Sequence, residues 1–176
     1  FIFNALNSMR ALVDEEPAKA KIAITQLSNI LRNSLITDKK RVVHFRNELN
    51  TVKDYLALEG IRFEERLKVN YAIDPRSEHF DIPPMMIQTL VENAIKHGLS
   101  TQKDGGEILI KACQKEGQLL IQVLNSGQLK QNSRREGIGL NNLVERMKIL
   151  FGSFAEFRLE NMDTNQVRAI LKIPIS

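Results

Sequence analysis

The chain has 176 residues, 43% hydrophobic and 26% charged, which is enough to bury a core and excludes an intrinsically disordered protein. Its net charge of +4 is spread along the sequence, so we expect no nucleic-acid partner. No apolar run approaches the roughly 20 residues that cross a bilayer. The single cysteine, Cys113, excludes an internal disulfide and is interpreted as an inert thiol in a buried strand. These features indicate a globular protein in a reducing, cytoplasmic setting.

Two helical stripes occupy residues 1–65. Both have apolar or small residues at steps of three and four; the first comprises Leu6, Met9, Val13, Pro17, Ala20, Ile24, Leu27, Leu31 and Leu35, and the second Phe45, Leu49, Val52, Leu56 and Phe63. Proline is tolerated only in the first turn of a helix, so Pro17 predicts a break within residues 14–17. The sequence begins inside the first stripe, without a signal peptide, and we expect it to be part of a longer protein.

The two stripes, separated by the polar residues 37–41, predict an antiparallel helical hairpin. Two helices cannot bury all their apolar faces against each other, so a second copy would complete a four-helix bundle. We therefore predict a homodimer. The alternative is a hairpin that folds back onto the rest of the chain.

From residue 66 onward the pattern changes to short strands. Five are predicted, at residues 68–73, 107–114, 118–124, 156–161 and 166–173. Helices are predicted at residues 84–97 and 140–151. The expected fold class is α+β, with the helical hairpin at residues 1–65 and helices on one face of a mixed sheet at residues 66–176.

Three segments of the second region carry polar residues suited to a ligand. In the first, Asn93 and Lys96 lie three apart on one helix face, where the amide could bind Mg²⁺ and the ammonium could neutralise phosphate. Taken alone, this segment is equally compatible with a helix that ends, without binding a ligand, in a solvated Lys96 and a capping His97 before Gly98.

The second segment is Asn125-Ser126-Gly127, where glycine would let a ligand approach the backbone and the asparagine could bind an exocyclic amine. The third runs from Gly137 to Asn142 and opens a helix, whose first N–H groups can bind an anion. Between them, residues 128–136 are predicted to form a short lid with three cations; a solvated loop is the alternative.

This order of segments resembles the N, G1 and G2 boxes of the GHKL ATPase superfamily, whose Bergerat-type site binds ATP with Mg²⁺. More narrowly, nearly the whole chain resembles the LytS/YehU-type sensor histidine kinases. The matching segments are Phe1-Ile2-Phe3-Asn4-Ala5-Leu6-Asn7, Leu31-Arg32-Asn33-Ser34-Leu35, Glu48-Leu49, Tyr55-Leu56, Arg62-Phe63, Ile82-Pro83-Pro84-Met85, residues 90–98 and residues 137–142. The resemblance implies a protein-histidine kinase that passes phosphate to a response regulator. It also implies that the chain is the cytoplasmic part of a bacterial protein anchored in the inner membrane.

The resemblance also implies residue roles. Asn93 corresponds to the Mg²⁺ ligand, and Glu92 is a candidate acid or base. The implied nucleotide contacts are Lys96 and His97 at the phosphates, Asn125 and Gly127 at the adenine, and Gly137, Gly139, Leu140 and Asn141 at the phosphate-facing turn. In this family the histidine that accepts the γ-phosphoryl group precedes Phe-x-Phe-Asn, which here begins at Phe1. We therefore expect this chain to be unable to phosphorylate itself at that position.

Two positions depart from the superfamily pattern. Asn125 stands where an aspartate is usual, which removes the charge from the adenine hydrogen bond, and Leu129 replaces the second glycine. A degenerate, nucleotide-sensing dimeric scaffold without kinase activity is therefore an alternative. A GHKL serine kinase of the anti-sigma type is disfavoured by the hairpin. The remaining alternative is a helical interaction module joined to an unrelated α/β domain.

Overall fold

The computed structural model describes residues 1–37, 41–129, 138–163 and 165–175. The helices are α1 (Ile2–Glu15), α2 (Pro17–Thr37), α3 (Phe45–Phe63), α4 (Met86–Asn93) and α5 (Ile138–Phe151). The strands are β1 (Val43–His44), β2 (Leu67–Ile73), β3 (Asp81–Ile82), β4 (Gly106–Lys115), β5 (Gln118–Ser126), β6 (Glu156–Asn161) and β7 (Gln166–Pro174). Within these ranges, no helix is long and apolar enough to cross a membrane.

The predicted break lies at Glu16, whose φ of −138° and ψ of 70° end α1, so that Pro17 begins α2. Helices α2 and α3 run antiparallel and are joined by a hydrogen bond from Asn33 Nδ2 to Thr51 Oγ1 of 2.9 Å. The ring of Phe1 lies 4.7 Å from that of Tyr55, in the middle of α3. Helix α1 therefore folds back beside α3, and the first arm of the predicted hairpin consists of two helices, α1 and α2.

The first predicted stripe is helical, but most of it does not face the core. Its buried positions are Met9, Ala20 and Leu27, whereas Leu6, Val13, Ile24, Leu31 and Leu35 are 40–76% exposed. The reversal at Glu16 interrupts the helical phase, so α1 and α2 do not share one continuous apolar face. Ala5, Ala23 and Ile30 take buried positions in place of the exposed ones.

The main sheet has the strand order β2-β4-β5-β7-β6, with β2 and β4 parallel and the remaining pairs antiparallel. A two-residue turn joins β4 to β5 at Glu116 and Gly117, where φ is +53° and +73°, as a tight hairpin requires. One sheet face is buried across strands, as in the set Ile110, Val123 and Ala169. The predicted α+β class and mixed sheet are confirmed.

Helix α3 packs into the same core as the sheet. Phe45, Leu49 and Val52 are at most 2% exposed and share one hydrophobic cluster with residues of α4 and the strands. The start of α3 is also fastened by the small antiparallel sheet of β1 and β3, which pairs His44 with Asp81. In this ribbon His44 Nδ1 lies 2.7 Å from Asp81 Oδ1. This ribbon was not predicted, because strands of two residues show no alternating pattern.

Candidate functional site

Helix α4 continues without interruption into a π-helix at Ala94–Gly98, within the helix that was predicted at residues 84–97. Leu90, Val91 and Ala94 are buried, whereas Asn93 is half-buried and Lys96 and His97 are exposed. π-Turns are rare and occur often at functional sites. The polar side chains of the first predicted segment therefore lie on the open side of a distorted helix end.

The second segment contacts this helix end through glycine. A methyl group placed on Gly98 would lie 2.3 Å from Asn125 Nδ2 and 2.6 Å from the carbonyl oxygen of Ser126. Gly127, with φ of +132°, also lies close to this helix end, since its added methyl group would be 3.1 Å from Gly98 Cα. Two of the three predicted segments thus converge, and the contact leaves no space for a side chain at Gly98.

Asn125 lies within β5, where it pairs with Ile108 and Val167, although the sequence placed it after a strand. Its side chain is 8% exposed, and Nδ2 donates to the carbonyl oxygen of Ser126 at 2.9 Å. The amide oxygen is the atom of this side chain that can accept a hydrogen bond from a ligand amine.

The third segment approaches α4 one turn before Asn93. An added methyl group on Gly139 would lie 3.3 Å from Thr89 Cγ2. Leu140 is 3% exposed and anchors the first turn of α5 in the core, while Asn141 is exposed. Gly137 and residues 130–136 of the predicted lid lie outside the described residues. The described parts of the second and third segments therefore lie against α4 and its π-turn, which carry the first segment.

Glu92, the candidate acid or base, lies at the interface of α4 with α3. It accepts a hydrogen bond of 2.8 Å from Gln88 Nε2, one turn earlier. Burial, together with the carboxylates of Glu59 and Glu92, raises the pKa of Tyr55 on α3. Glu92 is thus close to the tyrosine on which the ring of Phe1 packs.

Sequence reasoning missed Glu48 as a site residue. This side chain of α3 is 5% exposed, and its Oε1 accepts hydrogen bonds from the backbone N–H groups of Ile87, at 2.5 Å, and Gln88, at 3.3 Å. Burial raises its pKa to about 8, and the hydrogen bonds and Arg146 oppose this rise. The available signal was an acid on the apolar face of a helix, three residues after Phe45 and four before Val52.

The donor set fits a magnesium ion carried by a phosphate ligand. Among the described residues, no group of three or more His, Cys, Asp and Glu could hold a metal ion. A magnesium ion bound with a nucleotide needs only one or two protein oxygens, because water and phosphate supply the others. The half-buried amide of Asn93 is suited to that role.

Residues 1–67 match the family model for histidine kinases. Sensor protein LytS of Enterococcus faecalis is 32% identical over 188 residues, covering 99% of this chain and 32% of the relative. Sensor histidine kinase BtsS of Escherichia coli K12 is 32% identical over 176 residues, covering 99% of this chain and 31% of the relative. The chain thus spans about a third of the length of these relatives.

Solved structures share the fold. The histidine kinase domain of the blue-light activated kinase EL346 from Erythrobacter litoralis has a TM-score of 0.58 and 16% identity, covering 95% of this chain and 84% of that one. Histidine kinase ThkA, in complex with response regulator protein TrrA, has a TM-score of 0.53 and 16% identity, covering 99% of this chain and 59% of that one. From its sequence over nearly its full length, the chain belongs to the LytS-type sensor histidine kinases.

Proposed function

We propose that this chain is the ATP-binding and phosphotransfer core of a two-component sensor kinase. It binds Mg·ATP beside α4, directs the γ-phosphoryl group to a histidine on the dimerisation helices, and passes it to an aspartate of a response regulator. Residues 1–65 form the dimerisation and phosphotransfer part, and residues 66–176 form the ATP-binding domain. The observation that carries this proposal is the convergence of Gly98, Asn125, Gly127 and Gly139 around α4.

The proposed roles follow from where each group lies. Asn93 supplies an amide oxygen to Mg²⁺, and Lys96 and His97, exposed just after it, contact the phosphates. The Asn125 amide oxygen accepts a hydrogen bond from the adenine amine. The backbone contact at the adenine is assigned to Gly127. Those at the phosphates are assigned to Gly137, Gly139, Leu140 and Asn141, of which Gly137 lies outside the described residues.

Phosphoryl transfer asks the protein mainly for alignment and for neutralisation of charge. A histidine nitrogen attacks the γ-phosphorus, the bond from that phosphorus to the oxygen bridging it to the β-phosphate breaks, and ADP leaves. We assign Glu92 as the base that takes the imidazole proton. The first turn of α1 and Glu92 both approach Tyr55, and we place the acceptor just before Phe1.

The partners are a second copy of the chain and a receiver domain. The dimer is supported by apolar side chains that α1 and α2 leave exposed, which include Phe3 at 84%, Ile22 at 60% and Leu35 at 76%. The structurally similar kinase ThkA forms a complex with response regulator protein TrrA, which supports a partner of this kind here. We also propose that the chain is the cytoplasmic part of a membrane-anchored protein.

Isothermal titration calorimetry with Mg·ATP tests the nucleotide site. We expect Asn93→Ala to weaken binding at least about tenfold, the effect of losing one charge-assisted contact. Asn50→Ala, on an exposed position of α3, is the matched control and should leave the affinity within about twofold. Equal dissociation constants for the wild type and Asn93→Ala would overturn the assignment of the metal ligand, and no binding by the wild type would overturn the proposed function.

The degenerate scaffold is the second candidate. It is favoured by Asn125, because its neutral amide replaces the carboxylate that the superfamily usually has and is tied to Ser126. Both candidates bind Mg·ATP and dimerise. A chain extended to include the upstream histidine separates them, since only the kinase incorporates the γ-phosphate of labelled ATP into an acid-labile phosphohistidine.

A further inference from the structure

Helix α4 has no capping side chain of its own. The residue before its first turn, Met85, has φ of +63° and makes no side-chain cap hydrogen bond. The first N–H groups of a helix have no partner within the helix and must find one elsewhere. Here the partner comes from a different helix, because Glu48 Oε1 accepts from Ile87 N and Gln88 N.

A second contact brings α5 to the same point. Arg146 Nη1 donates to the carbonyl oxygen of Pro84 at 2.8 Å, just before α4 begins. The positive charge of Arg146 also stabilises the ionised form of Glu48. The start of α4 is thus held from α3 by a carboxyl oxygen of Glu48 and from α5 by the guanidinium of Arg146.

The first turn of α4 is close to the candidate site. From Ile87 to Asn93 the helix rises only about 9 Å, and Thr89, which contacts Gly139, lies between them. A helix of eight residues is too short to absorb a displacement of its first turn by bending. A shift at Ile87 would therefore move Thr89 and Asn93 as well.

We propose that Glu48 is a positioning residue for the nucleotide site, which holds α4 from helix α3 so that Asn93 and the turn at Gly139 stay aligned. This inference rests on the proposed function. It makes α3 a determinant of nucleotide affinity, although no residue of α3 is assigned a contact with the nucleotide.

The test compares three variants of the 176-residue chain by calorimetry with Mg·ATP. Glu48→Ala removes the acceptor and should raise the dissociation constant about fivefold to thirtyfold, the range expected for a lost helix cap. Glu48→Gln keeps an amide oxygen in place and should stay within about threefold. Thr51→Ala is the matched control. Thr51 is 8% exposed and lies one turn further along α3. Its hydroxyl accepts a hydrogen bond from Asn33 Nδ2 and donates one to the carbonyl oxygen of Asn47.

Hydrogen exchange of the nucleotide-free variants gives a second measurement. Amides of residues 87–96 should exchange faster in Glu48→Ala than in Thr51→Ala at equal global stability. If Glu48→Ala does not fold, Glu48→Asp, whose carboxylate ends one methylene short, replaces it in both measurements.

Wild-type affinity in Glu48→Ala, or unchanged exchange at residues 87–96, would overturn the positioning role. Failure of the wild-type chain to bind Mg·ATP would instead overturn the proposed function, and the exchange data would still show whether Glu48 holds α4.

Discussion

Replacing Glu48 by glutamine should remove a pH-dependent loss of stability that this one carboxyl imposes. Burial raises its pKa from 4.5 to about 8 in the folded chain, so the folded state binds a proton that the unfolded state has already released. Stability therefore falls as the pH rises from about 4.5 to about 8, by at most about 1.4 kcal/mol per pH unit. The total loss of unfolding free energy over this range is at most about 5 kcal/mol. Glu48→Gln does not show this loss, because glutamine does not titrate.

Urea denaturation at half-unit steps from pH 5 to pH 8.5 measures this effect. The free energy of unfolding of Glu48→Gln minus that of the wild type should increase from pH 5 to about pH 8 and then level off, because Arg146 and the two N–H groups only partly offset the burial of the charge. Glu116→Gln is the control, since the side chain of Glu116 is 82% exposed, and its difference from the wild type should stay near zero. A difference for Glu48→Gln that does not vary with pH would refute the reasoning.

Gly98→Ala should lower the unfolding free energy by about 1–3 kcal/mol through overpacking, because the added methyl group would lie 2.6 Å from the carbonyl oxygen of Ser126. Gly60→Ala is the control in α3, where no atom lies within 4 Å of the added methyl group. This variant should raise the unfolding free energy by up to about 1 kcal/mol. Similar changes in urea denaturation for the two would contradict the contact. Leu49→Ala, at a position 2% exposed, should cost about 2–5 kcal/mol in the same assay. Phe3→Glu, at a position 84% exposed, should weaken the proposed dimer with little loss of monomer stability, and an unchanged sedimentation profile would place the interface elsewhere.

The sheet was predictable because its signals are local. Alternation in β4, β5 and β7 marks one face for burial, and Glu116-Gly117 supplies the two positive φ angles of the turn between β4 and β5. The break before Pro17 was predictable for the same reason, since the proline ring itself disfavours a helix interior. The phase of the first stripe was not, because the direction in which α1 folds back depends on its packing against α3.

The candidate site likewise has residues that the sequence predicted and one, Glu48, that it did not. Asn93, Asn125 and Gly139 were recognised as polar or flexible positions in three separate segments, and the structure brings those segments to α4. Their assigned roles stay predictions. Glu48 was quoted in a family match but given no role, because an acid on a helix is ordinarily solvated. Nothing near it in the chain shows that its partners are 39 and 40 residues away.

The sequence by itself determined the helices, the five strands of the main sheet, the turn chemistry and the kinship with LytS-type kinases, because each depends on neighbouring residues or on short motifs. Only the tertiary structure decided that Gly98 lies against Asn125, that Glu48 caps α4, and that α3 shares the core of the sheet. Burial, a raised pKa and a contact that excludes a side chain all arise when distant segments displace water from one another. These properties belong to the folded chain and are not encoded at any single position.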